Sequence, residues 1–272
     1  MYERFYRLKE KPFALSPDPS FLFLAGPHRR ALTQLEYSLV GEAPFCLITG
    51  EVGSGKTTVI QHLLKKVKQT VTVGLLCNTD FQGGRLLRWV CMSFGLDYGR
   101  ADEVEMYQLL IRFLRSEYAK GHKVALIVDE AQNLGRIRLE ELRLLSNINT
   151  GKQLLLQIIL VGQPELRALI RTPKLLQLAQ RISADYHMEG LSAEEARLYI
   201  MHRVRVAGGR MRLFSDSAIK LAYEGSRGIP RLINQCCDLA LVYGYAEGAK
   251  WIEGEVMAQA IADRRSSGLM VN

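Results

Sequence analysis

The sequence has no C-x-x-C pair and no cysteine–histidine spacing of the zinc-binding kind. Its five cysteines stand at 46, 77, 91, 236 and 237 of 272 residues. Cys46, Cys77 and Cys91 fall in apolar stretches, so the expectation is buried free thiols in a reducing compartment rather than a disulfide framework. No apolar run approaches the roughly 20 residues that a bilayer-spanning helix needs. The opening Met1-Tyr2-Glu3-Arg4-Phe5-Tyr6-Arg7-Leu8-Lys9-Glu10-Lys11 is charged throughout and does not read as a signal peptide. Together these absences predict no membrane span and a cytoplasmic location. Internal repeats, low-complexity tracts, a long basic run and a recognisable helix-turn-helix are also lacking. Prolines number only eight, and four of them (Pro12, Pro17, Pro19, Pro27) fall in the first 27 residues. Interleaved there are Phe5, Phe13, Phe21, Phe23 and Leu24, which predicts an irregular arm over 1–27 that packs down on its aromatic side chains.

What remains is an ordinary globular composition, 48% apolar and 24% charged, with enough chain for one large domain or two smaller ones. Lys and Arg total 36 against 28 Asp and Glu, a net charge of +8. Dispersed positive charge suits DNA, RNA or an anionic membrane face, and equally suits solubility alone.

The stretch with the most chemistry in it is Gly50-Glu51-Val52-Gly53-Ser54-Gly55-Lys56-Thr57, which reads G-x-x-x-x-G-K-[ST]. The apolar run Phe45–Ile48 before it suits a buried strand. Thr58 and the residues to Lys65 after it are apolar at helical spacing. Strand, glycine loop and helix are the setting in which this motif binds phosphate. The glycines let successive N–H groups turn into one concavity at the positive end of a helix. Lys56 is placed to reach β- and γ-phosphate oxygens, and the Thr57 hydroxyl to ligate Mg²⁺.

About seventy residues on, Val124–Val128 is a run of five apolar residues, as in a strand covered on both faces. It ends in Asp129-Glu130, at the edge where open α/β sheets bind their ligands. This Walker B pattern assigns Asp129 to Mg²⁺ and Glu130 to polarising the attacking water. A further buried strand, Leu154–Gly162, ends in Gln163. That residue either contacts the γ-phosphate or attacking water, or merely starts a helix with Pro164 in its first turn. Further strands are expected at 71–77 and about 182–188, and helices at 31–39, 83–95 and 103–120. Five β–α alternations predict a doubly wound parallel sheet. From Leu191 the character is all helical. Ser192-Ala193-Glu194-Glu195 is a capping box, Ser215 caps a second helix, Gly228-Ile229-Pro230-Arg231 opens a third, and 253–262 make a fourth. The tail 263–272 is expected to be disordered.

The phosphate loop, Asp129-Glu130, a polar residue after the next strand, Gln180-Arg181 before the last strand, and a helical lid with Gly-Ile-Pro-Arg together resemble the AAA+ ATPases. The opening MYERFYRLKEKPFALSPDPSFLFL with His28-Arg29-Arg30-Ala31-Leu32, then GEVGSGKTT, VDEAQNL, ILVGQPEL, AQRI and SRGIPRLINQCCDLAL resemble the general secretion pathway protein A (ExeA) family over about residues 1–262. ATPases that accompany exosortase and exopolysaccharide loci belong to the same group. The resemblance implies a P-loop AAA+ fold, a five-stranded parallel sheet with helices on both faces over 28–190, followed by a small all-helical lid over 191–262. It implies ATP and Mg²⁺ as ligands and a homo-oligomer, ring or helical filament. Arg181 would be an arginine finger acting in trans on a neighbour's nucleotide. Arg231 would be the lid's sensor 2 arginine. Gln163 would be sensor 1, where many AAA+ proteins carry Asn. A protein partner in an envelope export or polysaccharide system is implied.

Secretion members of the family carry a membrane anchor and a periplasmic peptidoglycan-binding module. This sequence has neither, so direct contact with peptidoglycan is not expected of it unless it is a piece of a longer protein. A weaker resemblance to ATPases that regulate DNA transposition, with the +8 charge, keeps an ATP-dependent DNA-binding regulator as the alternative. A third reading is a nucleotide-gated scaffold with little turnover.

Overall fold

The computed structural model describes residues 1–16, 18–41, 43–67, 70–77, 85–151 and 153–266. In chain order its elements are α1 (Tyr2–Phe5), α2 (Gly26–Val40), β1 (Phe45–Gly50), α3 (Lys56–Val67), β2 (Val71–Leu76), α4 (Leu86–Ser93), α5 (Glu103–Ala119), β3 (Lys123–Val128), α6 (Gly135–Leu145), β4 (Gln157–Gly162), α7 (Pro164–Ile170), α8 (Leu176–Ala179), β5 (Ile182–Met188), α9 (Ala193–Val206), α10 (Asp216–Ser226), α11 (Pro230–Ala246) and α12 (Gly254–Ser266). Contacts divide the chain into two compact units. One holds 30–50 and 59–188; the other holds 1–29, 51–58 and 189–272. Among the described residues no helix is long and apolar enough to cross a membrane.

The first unit is the expected parallel sheet, in strand order β2-β3-β4-β1-β5. Successive strand side chains point to opposite faces. In β1, β3 and β4 both sets are buried: Phe45 and Leu47 on one face with Leu126 and Ile158, Cys46 and Ile48 on the other with Ile127 and Ile159. Both faces are therefore covered, which is why these strands read as unbroken apolar runs. All five strands run the same way, so Gly50, Val128 and Gly162 end at the same edge of the sheet.

Element bounds differ from expectation in ways that have local causes. The helix expected over 83–95 is α4 at Leu86–Ser93, and residues 83 and 84 lie outside those described. Helix α6 was not anticipated. Its buried Leu139, Leu142 and Leu145 recur every third residue, interleaved with charges that hide the stripe. Asp102 and Glu105 form a capping box that starts α5. Cys77, expected to be buried, is exposed because β2 stops one residue before it. The other four cysteines are buried and free.

The second unit is a helical core formed by α9 to α12 with the N-terminal arm folded into it. The capping box at Ser192 and Glu195 is present, as is the Ser215 cap on α10. Helix α12 runs to Ser266 rather than ending at Ala262. Its last turn is tied to α11 by Tyr243 Oη donating to Asp263 Oδ2 at 2.8 Å and Arg264 donating to Gln235 at 2.6 Å. The disorder expected from 263 therefore does not begin there, and 267–272 lie outside the described residues. Tyr2, Tyr6, Phe13 and Phe21 of the arm share one apolar cluster with Ile200, Val204, Phe214 and Leu241. Phe13 meets Phe214 edge to face, with centroids 5.6 Å apart.

Arg203 of α9 pins the arm by polar contacts as well. It is buried, donates Nε to the Pro12 carbonyl and one Nη to the Ala14 carbonyl, and lies 4.7 Å from the Phe21 ring centroid. Arg203→Met keeps the apolar stem and strips the donors from two backbone carbonyls. It should cost about 2–3 kcal/mol of stability and make the arm the first site of limited proteolysis. An unchanged unfolding midpoint with an uncut arm would mean that aromatic packing alone holds it.

Candidate functional site

The phosphate loop leaves a fully buried strand and runs into α3 at Lys56. Gly53 and Gly55 have φ of +83° and +100°, backbone that L side chains rarely adopt. Both are also closely approached. A Cβ on Gly53 would lie 2.3 Å from the Cβ of Arg231, and one on Gly55 would lie 2.5 Å from His28 Nε2. Lys56 is buried and donates from Nζ to the Glu51 carbonyl at 2.9 Å. Glu51, Val52, Thr57 and Thr58 are exposed, and Ser54 is buried.

Arg231 stands in the first turn of α11, where N–H groups have no partner within the helix. Its own N–H donates to the Gly53 carbonyl at 3.3 Å. Pro230 at the first helical position needs no such partner. The turn before it is held by Gly228, at φ +75°, where a Cβ would fall 2.1 Å from the Leu191 carbonyl oxygen. The Arg231 stem thus lies on the phosphate loop while the residue as a whole is exposed. His28 is a contact that sequence reasoning did not assign. It is buried in the first turn of α2, with Nε2 3.0 Å from the Ser54 carbonyl. Burial lowers its pKa and favours the neutral ring. The run His28-Arg29-Arg30-Ala31-Leu32 gives no sign of it, because a contact spanning 26 residues leaves no local pattern.

At the edge of the sheet, Asp129 and Glu130 follow β3. Asp129 is buried, and its N–H donates to the Leu76 carbonyl at 2.9 Å. Glu130 sits at φ 52°, ψ 40°, a left-handed conformation that costs a non-glycine residue about 1–2 kcal/mol. The surroundings hold it there. Its N–H donates to Asp129 Oδ1 at 3.0 Å. Its Oε2 accepts from Gln132 Nε2 at 2.5 Å and from Gln163 Nε2 at 3.0 Å. Gln132 Oε1 closes the set by accepting the Gln163 N–H at 3.1 Å. A side chain at 162 would crowd this: a Cβ on Gly162 would meet Gln132 Oε1 at 2.6 Å. Gln132 is the second residue that the sequence reading missed. It stands two positions beyond the carboxylates, and only the kink at Glu130 turns it back.

Of the two readings of Gln163, the helix start is the one observed, and its side chain meets a carboxylate besides. Its backbone is extended at the N-cap of α7 with Pro164 following, and its side-chain amide is committed to Glu130. Arg181 lies apart from this cluster, between α8 and β5. It is half-buried, and its guanidinium donates to Ser146 Oγ at 2.8 Å, not to Asp129, Glu130 or Gln163.

A family model described as an AAA domain matches residues 40–170. General secretion pathway protein A of Aeromonas hydrophila is 40% identical over 280 residues, an alignment covering 100% of this chain and 51% of that protein. The chain thus spans about half the length of the curated relative that it matches. Among solved structures, the Aeropyrum pernix ORC2 protein in ADPNP–ADP complexes matches with TM-score 0.67 at 18% identity, covering 94% of this chain and 71% of that one. Cdc6p from Pyrobaculum aerophilum matches with TM-score 0.71 at 17% identity, covering 96% and 70%. At such identities the likeness is one of fold.

Gly55→Ala combines a forbidden φ with a steric clash, whereas Gly121, at φ +78°, has open space around it. Gly55→Ala should therefore lower the melting midpoint by several degrees, roughly the effect of 1–3 kcal/mol in a chain of this size. Gly121→Ala should lower it less. Equal shifts would mean that the approach of His28 places no demand on residue 55.

Proposed function

The chain belongs to the AAA+ ATPases of the general secretion pathway protein A kind, and from that premise we propose that it binds ATP with Mg²⁺, hydrolyses it, and uses nucleotide-dependent assembly to drive or regulate a protein partner in envelope export or polysaccharide assembly. The observation that carries the reading is the phosphate loop, with two glycines that no other residue fits and a buried ammonium parked on a carbonyl of the same loop. A buried ammonium at this position of the loop forms stronger, charge-assisted hydrogen bonds with phosphate oxygens than with a neutral carbonyl. The donor set suits the ligands. Loop N–H groups and Lys56 match phosphate oxygens, and the Thr57 hydroxyl with the Asp129 carboxylate are the hard oxygens that Mg²⁺ takes. Bound Mg²⁺·ATP supplies the transferable phosphoryl group and the charge that neutralises it.

Glu130 is the proposed general base, its carboxylate accepting a proton from water. Gln163 and Gln132 aim that carboxylate, and the side-chain amide of Gln163 is the proposed sensor 1. Arg231 is the proposed sensor 2, coupling the lid to the loop through the Gly53 carbonyl. Arg181 is the proposed finger for a neighbouring subunit in a ring or helical filament. This role rests on its place before the last strand, as the family resemblance implies.

Glu130→Gln keeps the shape and hydrogen-bonding capacity but removes the base. It should bind a fluorescent ATP analogue as the parent does and hydrolyse ATP at least about 100-fold more slowly. Parental turnover in this variant would end the assignment. Arg181→Ala should also bind ATP normally and turn it over slowly, and mixing the two inactive variants should restore activity at about a quarter of the interfaces. If subunits exchange and no activity returns, while Arg181→Ala alone runs at the parental rate, Arg181 is a surface arginine. Salt separates the DNA reading, supported by the +8 charge. Affinity for plain duplex DNA that falls steeply between about 50 and 200 mM salt would place the chain among DNA-binding regulators.

A further inference from the structure

A loop that binds an anion with its N–H groups must turn its carbonyls the other way. Each outward carbonyl then needs a donor of its own. In the phosphate loop these donors can be named. The Glu51 carbonyl accepts from Ser54 N at 3.1 Å and from Lys56 Nζ. The Gly53 carbonyl accepts from Arg231 N. The Ser54 carbonyl accepts from His28 Nε2. Two of the three carbonyls are held from outside the loop, one by the lid and one by the first turn of α2.

We propose that His28 is a positioning residue for the phosphate loop: its ring backs Gly55, and its Nε2–H holds the Ser54 carbonyl outward so that the loop's N–H groups face the nucleotide. The proposal deepens the reading of this loop as the ATP site and rests on it. A carbonyl can only accept, so the ring must carry its proton on Nε2. Nδ1 is then an acceptor, and it is buried without a hydrogen-bond partner among the described residues. A residue present only to fill space would carry no such unpaired nitrogen. A leucine or methionine would cover Gly55 as well. The imidazole is explained by the one bond that it makes.

The same first turn of α2 is fastened to the lid. Gly26 N donates to Glu195 Oε1 at 2.7 Å. The other carboxylate oxygen, Oε2, accepts Ser192 N at 2.9 Å and so caps α9. One glutamate therefore fixes the start of α9 and, two residues before His28, the element that carries the ring. His28 and Arg231 make the loop's geometry a property of arm and lid together, and a lid that shifts its α9 end would shift the hold on Ser54.

The test uses the full chain with His28→Leu, which fills the space without a donor, and His28→Gln, whose amide nitrogen can reach where Nε2 stands. Amide hydrogen exchange over residues 51–57 is followed without nucleotide, and affinity is measured with a fluorescent ATP analogue. His28→Leu should exchange its loop amides faster and bind the analogue about tenfold more weakly, the effect of one unmade bond at a buried carbonyl. His28→Gln should stay close to the parent in both. Parental loop exchange and affinity in His28→Leu would overturn the proposal, as would equal losses in both variants, which would make ring shape the cause. If the parent binds no ATP while His28→Leu still loosens the loop, the nucleotide reading fails and the positioning role stands.

Discussion

The constraint on which the structure depends is that a backbone cannot point its N–H groups at an anion without pointing its carbonyls elsewhere. Residues 51–55 meet that constraint with donors drawn from three places. Lys56 serves within the loop, His28 comes from the first turn of α2, and Arg231 comes from the first turn of a lid helix. Two of these donors also press on the loop: His28 and Arg231 occupy the space that a side chain at 55 or 53 would need. The glycines are thus required by their dihedrals and by their neighbours at once. This explains why the loop groups with arm and lid in its contacts rather than with the strand that delivers it.

A second strained point is maintained by the same logic at the edge of the sheet. Glu130 occupies a left-handed conformation that its own side chain disfavours. The kink aims its carboxylate at two glutamine amides, and the amides in turn bond to each other's chain segment. A carboxylate accepting two amide N–H bonds is held in one orientation. The cost of the backbone strain is offset by three hydrogen bonds, so the geometry belongs to the cluster and not to any one residue in it.

The arm illustrates how an aromatic-rich, proline-rich segment gains a fixed place. Its rings supply area for the helical core, and Arg203 satisfies carbonyls at Pro12 and Ala14 that a segment without regular structure leaves unpaired. The same arm leads into the first turn of α2, where His28 meets the Ser54 carbonyl.

Much of this protein was legible in the sequence because the signals are local. Unbroken apolar runs gave β1, β3 and β4, since strands covered on both faces have no polar side to alternate. The glycine spacing and Lys56 located the loop, and Ser192, Ser215 and Pro230 marked helix starts by chemistry confined to one turn. Helix α6 escaped because its Leu139, Leu142 and Leu145 stripe is narrow and broken by charge. The tertiary structure alone decided that Gln132 turns back to Glu130, that Arg181 rests on Ser146, that Cys77 is exposed and that His28 meets Ser54. Each of these depends on where separate segments come to lie, or on a single residue's backbone angle, and neither leaves a periodic trace for a sequence to carry.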